Sequence, residues 1–67
     1  MTEITLNGEP YTLEPLTTIA ALIQDLGVAP DGVAVAVNLQ VVPRSNHGQH
    51  VLESGDRVDV IRAVGGG

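Results

Sequence analysis

Few side chains in this chain have the types and spacing that catalysis requires. The candidate nucleophiles are Ser45 and Ser54, and both fall in segments predicted to be turns. His47 lies two positions after Ser45, but neighbours in sequence do not make a catalytic triad, which needs a positioned base and an orienting acid. The chain has no cysteine and therefore no thiol nucleophile. We predict no catalytic residue and no cofactor.

Two histidines are the candidate metal ligands. His47 and His50 are three residues apart, a spacing that on a helix presents two imidazoles to one metal ion. Glu53 follows three residues later, and no further ligand lies close in sequence. Because residues 44–50 are polar, we interpret this segment as a solvent-facing loop and predict no metal site.

The end of the sequence has a different character. Gly65, Gly66 and Gly67 follow a predicted strand, and glycine loses more entropy on ordering than any other residue, so these three add little stability. A frayed end is one interpretation. The other is a flexible carrier tail from about residue 63 to residue 67, whose main-chain carboxylate enters a narrow slot in a partner enzyme and is activated there as an acyl-adenylate. Bulk at Gly66 or Gly67 would then block entry.

Length and composition restrict the architecture that can hold such a tail. The chain has 67 residues, 43% of them hydrophobic, so we expect a single domain over residues 1–67 with one thin core. Eight acidic residues against three arginines, with no lysine, give a net charge of −5, which argues against binding nucleic acid or an anionic membrane. No apolar run approaches the roughly 20 residues of a membrane span, and no signal peptide is visible, so a cytoplasmic location is the default expectation.

Turn and periodicity signals predict a hairpin followed by a helix. Asn7-Gly8 separates two alternating segments and predicts an opening β-hairpin, because both residues tolerate positive φ. Thr17 or Thr18 then caps a helix that ends at Gly27. Four apolar residues recur at the spacing of one helix face: Ile19, Leu22, Ile23 and Leu26.

Three later segments predict strands. Residues 33–37 are apolar on both faces and are interpreted as a central strand with its valines toward the helix. Residues 41–43 predict a short strand that ends, or lies at an edge, at Pro43. Residues 57–61 predict a last strand with Val58 and Val60 inward. The outer face is then shared by three residues that we expect to bind a partner: Ile61, Ala34 and Ala36.

This order of elements predicts an α+β fold. A hairpin followed by one helix and further strands favours a sheet with the helix packed on one face. The last strand should pair in parallel with the first, since one right-handed crossover can join them. The arrangement is the ubiquitin-like β-grasp, with a mixed sheet of four to five strands, one main helix and an outer face open to solvent.

Several short motifs carry a family resemblance. They occur in one order and span essentially the whole chain: Asn7-Gly8, Val35-Ala36-Val37-Asn38, Val42-Pro43-Arg44, Leu52 with Gly55-Asp56 and Val58, and the terminal Gly66-Gly67. Each motif is weak alone. Together with the length and the predicted fold, they resemble the ThiS family of bacterial sulfur carriers in thiamine biosynthesis.

This resemblance implies a carrier and not an enzyme. In the family, an ATP-dependent adenylating enzyme (ThiF-like) activates the terminal glycine, and a sulfur donor system then converts it to a thiocarboxylate. Thiazole synthase (ThiG-like) receives that sulfur. Carried over, Gly67 is the modified residue and Gly66 its small neighbour. Two positions depart from the family, namely His47, where many members carry Trp, and Gly65, where members commonly have another residue.

Two other functions fit the same fold. One is the sulfur-carrying small subunit of molybdopterin synthase (MoaD-like), which uses the same tail chemistry but usually on a longer chain with more aromatic residues. A length of 67 residues without Phe favours the ThiS family. The other is a ubiquitin-like interaction module without sulfur chemistry, and whether the native chain ends at Gly67 distinguishes it from a carrier.

Overall fold

The computed structural model describes residues 1–28 and 32–62. The predicted tail, from about residue 63 to residue 67, lies outside this range. The strands and the helix follow one another as β1 (Thr2–Leu6), β2 (Glu9–Leu13), α1 (Ile19–Asp25), β3 (Val33–Val37), β4 (Gln40–Val42) and β5 (Arg57–Arg62), with a 3₁₀ turn at Arg44–Asn46.

The five strands form one mixed sheet in the order β2-β1-β5-β3-β4. β1 pairs antiparallel with β2 and parallel with β5, and β3 pairs antiparallel with both β5 and β4. The predicted β-grasp is therefore confirmed, including the parallel pairing of the first and last strands. β3 is an interior strand, but the middle position that was predicted for it belongs to β5. β4 lies at an edge and ends directly before Pro43, as predicted.

The core lies between α1 and one face of the sheet. Strand alternation turns Val35 in β3 and Val58 in β5 toward the helix, and neither side chain is exposed to solvent. The other buried apolar residues complete the same cluster: Ile4, Leu13, Ile19, Leu22, Ile23, Val37 and Leu52. Removing this apolar surface from water is the main favourable term that holds the helix on the sheet.

Capping at both ends limits α1 to two turns. The Thr18 hydroxyl accepts a hydrogen bond from the Ala21 amide at 3.2 Å. The Thr17 hydroxyl instead donates to the Glu14 carbonyl at 2.7 Å, so Thr18 is the cap of the two residues that were candidates. At the other end Gly27 takes φ +73°, the left-handed conformation predicted for the helix stop.

Two tight turns use the left-handed region at consecutive residues. In the β1–β2 turn these are Asn7 and Gly8, with φ of 50° and 87°. In the β3–β4 turn they are Asn38 and Leu39, with φ of 52° and 70°. A leucine is unusual there, because a residue with a side chain pays about 1–2 kcal/mol for this conformation. The Leu39 side chain is 74% exposed, so little packing within the chain offsets that strain.

Replacing Thr18 with Ala should lower the free energy of unfolding by about 1 kcal/mol, because the Ala21 amide loses its acceptor. Urea denaturation followed by circular dichroism measures the change. Thr18→Ser is the matched control, since it keeps the hydroxyl and should retain most of the stability. Equal losses in the two variants would show that the methyl group of Thr18, and not its hydroxyl, is what matters.

Replacing Leu39 with Gly should raise the free energy of unfolding by about 0.5–1 kcal/mol, because relief of the left-handed strain outweighs the added entropy of the unfolded chain. Leu39→Ala keeps the Cβ atom and should bring no such gain. The same denaturation experiment tests both variants. A stabilisation by Ala as large as that by Gly would contradict strain as the cause.

Candidate functional site

The C-terminal half of β5 is where the candidate site begins. β5 ends at Arg62, which is also the last residue that the structure describes, and it leads toward the glycine segment 65–67. The pairing of Arg62 with Val33 keeps β5 attached to β3 up to this residue. The predicted modified residue, Gly67, and its neighbours Gly65 and Gly66 lie outside the described residues.

The outer face of the sheet carries an apolar surface beside this strand end. Ile61 is 61% exposed and lies opposite Ala34, which is also exposed. Ala36 is half-buried on the same face, and its partner on β4 is Val41, which is 73% exposed. Paired residues of antiparallel strands share a face, so the four side chains are continuous. We call them the outer apolar surface.

Val41 was not among the residues predicted for this surface. The sequence places it in a short strand next to Pro43, but its direction depends on the register between β3 and β4. That register is set by the turn at Asn38 and Leu39. A leucine in the sequence does not indicate the positive φ that Leu39 has in this turn. The other three residues, Ile61, Ala34 and Ala36, lie on the outer face as predicted, while their binding to a partner stays a prediction.

A charged pair borders the outer apolar surface. Arg57 and Asp59 alternate outward along β5 in the same direction as Ile61, and the Arg57 Nε atom lies 3.3 Å from Asp59 Oδ2. The Arg57 side chain is exposed and that of Asp59 is half-buried, and a pair this close to solvent contributes little to stability. It leaves the apolar surface flanked on β5 by one positive and one negative group.

Two asparagines contact β5 from its neighbouring strands. The side-chain carbonyl of Asn7, at the end of β1, accepts a hydrogen bond from the Val60 amide at 2.8 Å. The side-chain carbonyl of Asn38, at the end of β3, accepts one from the Arg57 amide at 3.0 Å. The strand that leads into the tail is therefore fixed at its start and again near its end.

His47 departs from the expectation of a solvent-facing loop, although most of residues 44–50 are exposed. His47 is only 6% exposed, and its Nε2 atom lies 3.0 Å from the Val42 carbonyl oxygen. Because a carbonyl can only accept, the proton belongs on Nε2 in this contact. The sequence missed this burial because the neighbouring residues are polar, whereas the segment folds back over the start of α1.

The backbone of that segment also contacts the start of α1. The His50 carbonyl accepts from the Ile19 amide at 3.1 Å, and the His47 carbonyl accepts from the Ala20 amide at 3.0 Å. These contacts satisfy amides of the first turn of α1, which have no partner within the helix. We therefore assign a structural role to the histidine segment.

The other candidates for chemistry do not assemble into a site. Ser45 is exposed in the 3₁₀ turn, and the Ser54 hydroxyl accepts from the Glu3 amide at 3.2 Å. Among residues 1–28 and 32–62, no three His, Asp or Glu side chains are grouped so that they could hold a metal ion. No helix in the same ranges is long and apolar enough to cross a bilayer.

A groove of about 460 Å³ separates α1 from the 3₁₀ turn. Ala20, Ile23 and Val28 give it an apolar wall, and Arg44 and His47 lie on the opposite side. His47 is engaged with the Val42 carbonyl, so the groove has no nucleophile-and-base pair among its lining residues.

Comparison with known proteins links this geometry to one family. The model of the ThiS family matches residues 4–67. Two thiazole synthases, from Magnetococcus marinus and Paramagnetospirillum magneticum, are 45% and 35% identical over 65 residues. These matches cover 97% of this chain but 20% of each relative, so the chain spans about a fifth of their length.

Two further relatives match over their full length. The sulfur carrier protein ThiS of Escherichia coli is 29% identical, over 97% of this chain and 98% of that protein. The crystal structure of the thiamine biosynthesis protein ThiS from Geobacter metallireducens superposes with a TM-score of 0.83 at 29% identity, covering 98% of this chain and 100% of that one. With the family model matched over residues 4–67 and the β-grasp sheet shared with a solved member, the chain belongs to the ThiS family.

Proposed function

We propose that this chain is a sulfur carrier of thiamine biosynthesis, with sulfur carried as a thiocarboxylate on Gly67. The observation that carries the proposal is the family match over residues 4–67, which includes the three glycines together with the β-grasp body. The similarity to the Escherichia coli sulfur carrier over 98% of that protein supports the same role.

The chemistry takes place on the main chain. A carboxylate oxygen of Gly67 attacks the α-phosphorus of ATP, which forms an acyl-adenylate and releases pyrophosphate. A sulfur nucleophile at the oxidation level of sulfide then attacks the acyl carbon and expels AMP. The product has one carboxylate oxygen replaced by sulfur. Gly66 and Gly65 add no side chain beside the reacting carbon, so a narrow slot can admit it.

Partners must supply the machinery that this chain lacks. A domain of this size cannot enclose an acyl-adenylate away from water, so an ATP-dependent adenylating enzyme (ThiF-like) has to hold the tail during activation. A sulfur donor system and a thiazole synthase (ThiG-like) complete the proposed set. The two relatives named thiazole synthase support the last of these. We place the reaction in the cytoplasm, because activation consumes ATP.

The outer apolar surface is the proposed docking site for these partners. Its four residues, Ile61, Ala34, Ala36 and Val41, are close to the strand end that leads to the tail, so a protein bound there also reaches the glycines. Acidic residues outnumber the arginines by eight to three. The net negative charge favours a partner surface with basic residues around an apolar centre.

Incubation with the adenylating enzyme, ATP and a sulfur source should replace one oxygen by one sulfur at Gly67, detected by intact-mass and fragment mass spectrometry. The untreated protein is measured first, because the reaction requires a free carboxylate on Gly67. Gly66→Leu should lower the yield of thiocarboxylate at least tenfold, since its side chain obstructs the slot. Ser45→Ala and His50→Ala are the controls and should react like the parent protein.

Three outcomes would overturn the carrier proposal. One is sulfur located at any residue other than Gly67. Another is full conversion of the Gly66→Leu variant. The third is a native chain that continues past Gly67 and is neither cleaved nor activated there. Loss of conversion in Ser45→Ala would instead point to side-chain chemistry within the chain.

Ile61→Asp should weaken binding to the adenylating enzyme or to thiazole synthase at least tenfold, which corresponds to about 1.4 kcal/mol. The physical reason is that the complex would have to bury a carboxylate in an apolar contact. Titration calorimetry measures the affinity. Thr12→Asp adds the same charge to an exposed position of the outer face on β2 and should leave binding within about twofold. Equal effects of both variants would attribute the loss to net charge alone.

A further inference from the structure

The two asparagines that contact β5 extend its hydrogen-bond ladders in the same way. Asn7 donates its backbone amide to the Val58 carbonyl at 2.9 Å and accepts from the Val60 amide with its side chain. Asn38 donates its backbone amide to the Arg57 carbonyl at 2.7 Å and accepts from the Arg57 amide with its side chain. In each case a side-chain carbonyl provides the acceptor that a continuing strand would supply from its backbone.

Both asparagines combine this role with a turn. Each has positive φ and begins the turn that carries the chain away from β5. Asparagine tolerates the left-handed region and also has an acceptor of the right length, so it can turn the chain and still complete one more ladder contact. A glycine at either position would allow the turn but would lack the side-chain acceptor. An aspartate would allow the turn and would keep a side-chain oxygen as the acceptor.

The two contacts differ in where they hold β5. The register of β1 against β5 covers Thr5–Arg57 and Leu6–Val58, whereas β5 continues to Arg62. The Asn7 contact therefore lies beyond the last β1–β5 pair, on the stretch that carries Ile61 and leads to the tail. The Asn38 contact lies at the first residue of β5, on the side of β3.

We propose that Asn7 is a positioning residue for the carrier tail, an inference that rests on the proposed function. Its side-chain carbonyl holds the C-terminal half of β5 on the side that β1 no longer covers. This fixes Ile61 relative to the point where the tail leaves the sheet. A partner that binds the outer apolar surface and the tail together needs both in one arrangement, and a frayed β5 lowers the fraction of molecules that present it.

Three variants separate this role from general stability. Asn7→Gly keeps the turn and removes the acceptor for Val60. Asn7→Asp keeps both the turn and an acceptor for the Val60 amide, so it should behave like the parent protein. Asn38→Gly is the control, because it removes the same kind of contact from β5 at Arg57, together with the hydrogen bond from Asn38 Nδ2 to Asp56 Oδ1, and both lie away from the tail.

Two measurements are made on each variant. Amide hydrogen exchange by NMR reports opening at Ile61, with Leu22 in α1 as the reference for global unfolding. Steady-state kinetics of the adenylating enzyme, with the carrier as the varied substrate, gives KM and kcat. In Asn7→Gly we expect exchange at Ile61 to rise about threefold to tenfold relative to Leu22, the change that one lost hydrogen bond produces. KM should rise by a similar factor. We expect kcat to stay within about twofold, because the carrier that is bound to the enzyme has β5 in its paired conformation again.

The pattern across the variants decides the inference. Asn7→Asp should match the parent protein, and Asn38→Gly should leave both the relative exchange at Ile61 and KM unchanged even if it lowers the melting temperature. A rise in KM that is the same in Asn7→Gly and Asn38→Gly would reduce Asn7 to a structural residue and overturn the proposal. So would faster exchange at Ile61 in Asn7→Gly with an unchanged KM. A parent protein that is not adenylated would refute the proposed function itself, and the positioning role with it.

Discussion

The insertion of β5 between β1 and β3 joins two hairpins that are formed by different parts of the chain. β1 pairs with β2 through a two-residue turn, β3 pairs with β4 in the same way, and β5 connects the two pairs into one sheet. Val58 on this strand is fully buried and packs in the cluster beneath α1. The core and the continuous outer face both depend on this insertion, as does the position of Arg62 at the end of β5.

The inner face of the sheet leaves no room for chemistry. α1 covers it, and the segment after β4 uses its remaining polar groups to complete the helix. Carbonyls of His47 and His50 accept from the first amides of α1, while the His47 ring donates to the Val42 carbonyl. The His47 ring and the backbone of this segment are thereby engaged in holding the fold, while the Ser45 side chain is exposed. The proposed function accordingly uses the outer face and the main chain after β5.

Local signals in the sequence were sufficient where one residue determines the backbone. Asn7-Gly8 predicts the first hairpin, Gly27 predicts the helix stop, and alternation around Val58 predicts which side of β5 faces the core. The structure agrees at each of these positions. The outward direction of Ile61 follows from the same alternation.

Other features could not be predicted because they depend on contacts distant in sequence. The burial of His47 requires the segment after β4 to fold over α1, and the polar neighbours of His47 give no sign of it. Leu39 gives no sign of its positive φ, which a glycine would have indicated. The contact between Asn7 and Val60 spans 53 positions of sequence, so neither residue alone predicts it. These are the contacts that fix β4 and β5, and with them the extent of the outer apolar surface.

The proposed carrier role places two opposed requirements on the chain, and they would be met by different segments. Recognition requires a surface of fixed shape, which the paired strands β5, β3 and β4 provide. Delivery into a narrow slot requires a segment without bulk, which three glycines provide. An activated acyl group also reacts readily with amines, and a chain without lysine offers it no side-chain amine. In the proposed carrier the boundary between the two segments falls after Arg62, the last residue of β5, and we expect the Asn7–Val60 contact to affect how the tail is presented.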